Sequence, residues 1–354
     1  MIYDYFDTYA KEYKPYKMGA WCYEDGLIYR GLELLHRSTK DPIWLNHIVR
    51  LITPQIEAGS ELRGYDASDY NIDNIQPGKA LLYLYEQMQD QIYLSAAERL
   101  GEQLRAHPRT QSGVFWHKQR YPSQVWLDGL YMGLPFQIEL GLRTGRGDLL
   151  DDALTQLNAA LKMTFVEKTR LYSHAVDEAK MQKWADPQTG HSSAHWARAV
   201  GWLSMALVDI AELVGSDRFS PFRTRTMELL RRIAELRRED GLWFQVIDQP
   251  KLFGNFEESS ASAMFAYALV KSRGLRLWSG ETDSLIQTLF ANVISDKVGG
   301  GKEMINICHV AGLGMYNNRF RDGSAKYYLS EVCVSDDPKG VGPLMMLGAI
   351  IGDR

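Results

Sequence analysis

Asp128 sits between Leu127 and Gly129 at the head of an apolar helical run, and Asp73 has the same placement one repeat earlier. Two carboxylates at one mouth can divide a reaction between them. The negative charge of one raises the pKa of the other and keeps it protonated, as a general acid requires. Conventional glycoside hydrolysis uses such a pair, about 5–5.5 Å apart for retention or about 6.5–9.5 Å for inversion. Helix capping is the competing role for both residues. Capping does not account for the Trp and Arg residues beside them. Arg198 lies between Trp196 and Trp202, so its guanidinium could fork onto a carboxylate while the indoles stack on a ring. The bland counterpart is an internal salt bridge. His174 falls in an irregular connection, Tyr172–Glu178, where a hydrogen-bonded structural histidine is the alternative. His117-Lys118, just before Tyr121-Pro122, could bring positive charge to an acidic sugar or simply be exposed charge.

Other chemistries are poorly supported. His191 and His195 have H-x-x-x-H spacing, but Ser192 stands where the zinc-protease motif has its glutamate, and the pair straddles a helix start. No metal is expected. Gly299-Gly300-Gly301-Lys302 lacks the full phosphate-loop pattern and reads as a flexible turn. No G-x-S-x-G nucleophile elbow occurs.

The candidate residues need elements to hold them. Amphipathic periodicity predicts helices at 23–38, 42–58, 77–89, 92–107, 127–144, 148–166, 196–215, 219–238, 258–273, 280–296 and 339–351, with 2–12 as an extra one. Short strand candidates are 114–117, 242–247 and 326–334. Alternate helices open alike, with a small residue before large apolar ones: Gly31-Leu32, Gly78 to Leu81, Gly129-Leu130, Gly201-Trp202, Ala261 to Met264 and Gly340 to Leu344. Polar turns such as Thr144-Gly145-Arg146-Gly147-Asp148 reverse the chain between them. This is a helical hairpin repeated about every 50–70 residues. Six hairpins closed in a ring make an all-α, α/α toroid, with 2–12 completing the sixth beside 339–351. An open α-solenoid is the alternative. The segments preceding the inner helices then share one end of the barrel, Asp73, Trp126, Asp128, Trp196 and Arg198 among them. The chain, 1–354, is expected to form a single domain.

Composition narrows the classes. A hydrophobic content of 45% supports a large core, and a formal charge of −4 without a basic run argues against nucleic acid and an anionic membrane surface. No apolar run reaches the roughly 18 residues of a membrane span. Nine Trp and 19 Tyr, many in polar stretches, offer faces for sugar rings. Three cysteines without C-x-x-C spacing exclude a disulfide framework. The acidic, aromatic N-terminus has no signal-peptide pattern, so the cytoplasm is the expected location.

At these residues the chain resembles the unsaturated rhamnogalacturonyl hydrolases, glycoside hydrolase family 105. The matching stretches are Tyr70-Asn71-Ile72-Asp73, His117-Lys118 through Tyr121-Pro122, and Gln124 to Met132, of which Trp-Leu-Asp-Gly-Leu-Tyr-Met is the most specific. Further matches are Asp177-Glu178, Trp184 to Pro187, Trp196 to Trp202, Ser262 to Phe265, Tyr328 to Glu331 and Asp337 to Gly342. The resemblance implies a six-hairpin α/α barrel acting on oligosaccharides that end in a 4,5-unsaturated galacturonic acid. It implies Asp128 as general acid/base and Asp73 as the second acid. His174, Trp196, Arg198 and Trp202 would line the unsaturated-sugar subsite, with Lys118 and Trp126 beside it. One departure is visible: Arg198-Ala199-Val200-Gly201-Trp202 stands where the family often has Arg-Gly-(Asn/Met)-Gly-Trp. This puts the leaving group in question more than the reaction. The implied chemistry is protonation at C4 and water addition at C5 of a vinyl ether, with no cofactor. A conventional inverting glycosidase, a sugar epimerase and a non-catalytic sugar-binding protein are the competing readings.

Overall fold

A computed structural model describes residues 2–352. Its helices are α1 (Ile2–Glu12), α2 (Tyr23–Thr39), α3 (Pro42–Ile52), α4 (Gly78–Met88), α5 (Gln91–Ala106), α6 (Leu127–Thr144) and α7 (Gly147–Thr164). They continue with α8 (Ala197–Phe219), α9 (Arg223–Glu235), α10 (Ser259–Gly274), α11 (Asp283–Val293), the short α12 (Ala325–Leu329) and α13 (Pro338–Ile351). Starts and stops follow local chemistry. Asp41, Asp90 and Asp337 each accept a backbone amide two residues on, capping α3, α5 and α13. Lys40, Gln89 and Gly145 end α2, α4 and α6 in the left-handed region.

The inner helices α2, α4, α6, α8, α10 and α13 pack side by side, and α13 returns to α2, closing the ring. Outside them α3, α5, α7, α9 and α11 pack on their hairpin partners, and α1 packs on α13. The fold is the expected α/α barrel. The two kinds of helix differ as their positions demand. In α10 Ser259 through Leu269 are all buried, whereas α9 buries only Thr226, Leu229, Leu230 and Ile233. By length and composition the α8 region could cross a membrane, but 72% of that apolar window is buried inside the protein. It is an inner wall of the barrel.

Small residues let the inner helices approach. A Cβ on Gly342 would lie 2.7 Å from Leu27 Cβ and 2.8 Å from the Leu27 carbonyl oxygen. Backbone cannot swing aside as a side-chain tip can. Gly342→Ala should therefore destabilise by about 1–3 kcal/mol through overpacking. Denaturant titration checks this; an unchanged midpoint would mean that the α2–α13 seam is looser than its contacts show.

Three strand expectations are corrected. Residues 114–117 and 242–247 form only isolated bridges, Arg109 with Phe115, Trp196 with Val246 and Phe244 with Glu257. In 326–334, Ser324 caps Tyr327 through a 3.1 Å bond and starts α12, leaving only Cys333–Val334 as strand, paired with Ile307–Cys308. The helix expected over 42–58 stops at Ile52, and Pro54 sits in the 3-10 turn that follows. A strand pair not expected, Gln124–Trp126 with Ala175–Asp177, matters most for the site.

Candidate active site

A cavity of about 280 Å³ opens at the N-terminal ends of the inner helices. Five of those ends line it: Tyr23 and Glu24 of α2, Asp73 before α4, Trp126 and Asp128 at α6, Trp196, Arg198 and Trp202 at α8, and Lys339 of α13. The sixth, α10, contributes Glu258 behind Arg198. A larger cleft of about 820 Å³ lies at the opposite helix ends, but much of its charge is spent internally, Glu86 on both Arg37 and Arg143.

The unexpected strand pair fixes Asp128. Trp126 pairs with Ala175, and the Leu127 amide donates to the His174 carbonyl at 3.0 Å. This puts His174 Nε2 3.3 Å from Asp128 Oδ2. Both atoms are buried and have no hydrogen-bond partner. Asp128 Oδ1 is not so enclosed, so it is the oxygen that faces the cavity. On its other side His174 Nδ1 lies 2.7 Å from the Tyr328 hydroxyl. Burial pushes the Tyr328 phenol well above its ordinary pKa, so it keeps its proton. With the phenol as donor to Nδ1, the proton of a neutral imidazole sits on Nε2, the nitrogen 3.3 Å from Asp128 Oδ2.

Asp73 is held differently. A 3-10 turn, Ile72–Ile75, presents it, and the Asn71 side chain accepts its amide at 3.2 Å. Burial alone would raise its pKa, but Lys118 Nζ at 2.7 Å outweighs that and holds it below the ordinary value, with His117 Nε2 3.8 Å away. Asp73 is therefore ionised at physiological pH. Burial takes His117 down to about 3 against the pull of Asp73, so the ring is neutral at physiological pH. It stacks on Trp126 at 4.4 Å, with Tyr121 packed on the same indole at 4.9 Å.

Several aromatic faces expected to be open are occupied. Trp126 carries His117 and Tyr121, Trp202 stacks on Tyr131 at 5.0 Å, and Trp196 lies parallel to Tyr328 at 6.0 Å. They form the wall, with only edges and partial faces toward the cavity. Arg198 is also more committed than its sequence neighbours suggested. It is 1% exposed; Nε donates to Ser260 Oγ at 2.8 Å, and Nη2 reaches Glu258 at 3.5 Å and the Cys308 carbonyl. Burial would lower its pKa, yet Glu258 and neighbouring groups keep it raised. The internal salt bridge exists, and the residue still lines the cavity.

Sequence reasoning did not single out Glu258, Lys339 or Tyr328 as site residues. Glu258 and Lys339 lay in rim segments that were recognised, but a cap and a ligand group look alike in sequence. Tyr328 is 154 positions from His174, and no spacing rule joins them. The expected cations Lys118 and Arg198 are joined by Lys17 and Lys339 around the cavity. Lys17 pairs with Glu24 at 3.4 Å and Lys339 with Asp337 at 2.8 Å. His191 and His195 are used structurally, on the carbonyls of Met163 at 2.8 Å and Tyr172 at 2.9 Å.

The profile of Glycosyl Hydrolase Family 88 matches residues 2–351. The chain belongs to the glycoside hydrolase family 88/105 group. A Clostridium acetobutylicum ATCC 824 structure described as a glycoside hydrolase from family 105 is 34% identical, covers 94% of this chain and 93% of its own, and superposes with a TM-score of 0.89. Protein Atu3128 of Agrobacterium fabrum is 48% identical over 225 residues, 61% of this chain and 96% of the relative. Unsaturated rhamnogalacturonyl hydrolase YesR of Bacillus subtilis is 27% identical over 262 residues, 72% of this chain and 71% of the relative. This chain is therefore a glycoside hydrolase of the unsaturated-uronyl group, and the α/α barrel is that group's fold.

Proposed function

We propose that this hydrolase acts on unsaturated rhamnogalacturonan disaccharides, hydrating the C4=C5 bond of the terminal unsaturated galacturonate and releasing rhamnose. The observation that carries this reading is the asymmetry of Asp128. Oδ2 lies against His174, and Oδ1 opens to a cavity ringed by cations.

In this mechanism the proton rides on Oδ1, because Oδ2 faces the His174 N–H. Oδ1 gives that proton to C4 while the C4=C5 electron pair forms the new C–H bond. Positive charge develops at C5 and is shared with the ring oxygen. Asp128, now a carboxylate steadied by His174, takes a proton from water as the water oxygen bonds to C5. The hemiketal opens to a C5 ketone, and the C1 hemiacetal left behind expels the leaving sugar as an alcohol. Lys118 and Arg198 attract the uronate carboxylate, and ionised Asp73 sets the charge balance beside them. Trp126, Trp196 and Trp202 shape the wall against the ring. No metal or organic cofactor enters these steps. The leaving sugar is assigned from the YesR relationship.

The test is loss of the ultraviolet absorbance of the 4,5-ene uronate when the enzyme meets unsaturated rhamnogalacturonan, galacturonan and glucuronan disaccharides. Fastest loss on the first is expected. Turnover of saturated analogues with the absorbance of the unsaturated panel intact would instead favour a conventional glycosidase.

The relay gives a finer expectation. Tyr328→Phe removes the donor that fixes the His174 tautomer. One positioning hydrogen bond, about 1.4 kcal/mol, corresponds to roughly a tenfold fall in kcat. KM should hold, since the ring and its packing remain. A rise in KM with kcat unchanged would assign Tyr328 to the wall alone.

A further inference from the structure

The cavity is small for an oligosaccharide site. At about 280 Å³ it sits just below the usual range for small-molecule pockets, about 300–1,000 Å³, so sugars beyond the leaving group must cross its rim. One stretch of that rim is built from a hairpin, Gly314–Tyr316 paired with Arg319–Arg321. Asn317 and Asn318 turn it at φ 47° and 60°, the left-handed pair that a tight hairpin requires. Arg321, buried at its base, fixes it by donating to the Tyr121 hydroxyl at 3.0 Å and the Leu313 carbonyl at 2.9 Å. The hairpin is thus tied to Tyr121, which also packs on Trp126.

Arg120 stands against this hairpin. Its guanidinium lies 4.9 Å from the Tyr121 ring centre and 5.4 Å from that of Tyr316. The residue is exposed, and among the described residues no carboxylate pairs with it. Most other cations at the cavity have an acidic partner: Lys17 has Glu24, Lys118 has Asp73, Arg198 has Glu258 and Lys339 has Asp337. Tyr316, 42% exposed, also borders the cavity, and its ring centre lies 4.9 Å from the Arg321 guanidinium as well. A guanidinium already held against aromatic rings loses less freedom on binding than an ordinary surface arginine, and it keeps its fork for a planar anion.

We propose that Arg120 and Tyr316 form an outer subsite for an acidic sugar beyond the leaving group, with Arg120 reading its carboxylate. This rests on the substrate class proposed above. Rhamnogalacturonan alternates rhamnose with uronate, so the sugar after the leaving rhamnose carries that charge. The enzyme then favours longer unsaturated fragments over the disaccharide.

Binding is measured by calorimetry in the Asp128→Asn background, with the unsaturated disaccharide and the unsaturated tetrasaccharide of rhamnogalacturonan as ligands. The tetrasaccharide should bind about fivefold more tightly, the upper end for a charge at a solvent-exposed rim. Arg120→Gln should remove that gain and leave disaccharide affinity unchanged. About 1 M salt, where the Debye length is about 3 Å, should shrink the gain in the Arg120 protein. Equal affinity for both ligands, binding of neither, or equal weakening of both by Arg120→Gln overturns the subsite. Wild-type turnover is followed alongside. If the double bond survives while the Arg120-dependent gain persists, the hydrolytic reading falls and the subsite stands.

Discussion

Asp128→Asn should reduce turnover of an unsaturated uronyl disaccharide by at least about 10³, within the range general acid–base assistance supplies. One residue serves both half-steps in the proposed mechanism, so its loss is not spared by a second acid. Asp73 cannot substitute, because Lys118 at 2.7 Å holds it ionised. The fold should survive. Asp128 is in the first turn of α6 but is not its cap, which is Trp126. Asn keeps the shape of the side chain and its place in the first turn, so little stability is lost. Activity within tenfold of wild type, with the fold intact by circular dichroism, would remove Asp128 from the chemistry.

Glu258→Ala should have the largest effect on stability. The Glu258 carboxylate is fully buried and accepts from the amides of Ser260, Ala261 and Cys308 at 3.2, 2.7 and 2.9 Å. It also faces Arg198 at 3.5 Å. Alanine would leave a guanidinium buried without its counter-charge, which costs about 3–5 kcal/mol. Glu258→Gln keeps much of the shape and some acceptors, so it should cost less. Chemical denaturation checks both. A Glu258→Ala loss below about 1 kcal/mol would show that Arg198 is compensated elsewhere.

These two residues show what could be read from sequence and what could not. The ring was legible because its packing repeats: small residues along the inner helices are both a sequence pattern and, at Gly31, Gly78, Gly201 and Gly342, a close contact with a neighbouring helix or side chain. The shared rim followed from that repeat, and with it the company of Asp73, Trp126, Asp128 and Arg198. The strand pair that seats Asp128 against His174 was not legible. Gln124–Trp126 is three residues long and buried at every position, so it has no alternation to detect. The commitment of Arg198 was hidden for another reason. Its partner lies 60 positions away, and a guanidinium looks the same whether it waits for a substrate or pairs with a buried acid. The tyrosine behind His174 has the same long-range origin. Conversely, 326–334 looked strand-like until the Ser324 cap was seen to start a helical turn. Local patterns carried the scaffold, and contacts distant in sequence carried the refinement of the site.

In the proposed mechanism water first adds at the double bond, not at the anomeric carbon. This is tested by running the reaction on unsaturated rhamnogalacturonan disaccharide in D₂O and reading the earliest product by NMR. One solvent deuteron is expected at C4, with loss of the C4=C5 bond in step with release of the leaving sugar. Release of that sugar with the double bond retained and no deuterium at C4 would contradict it.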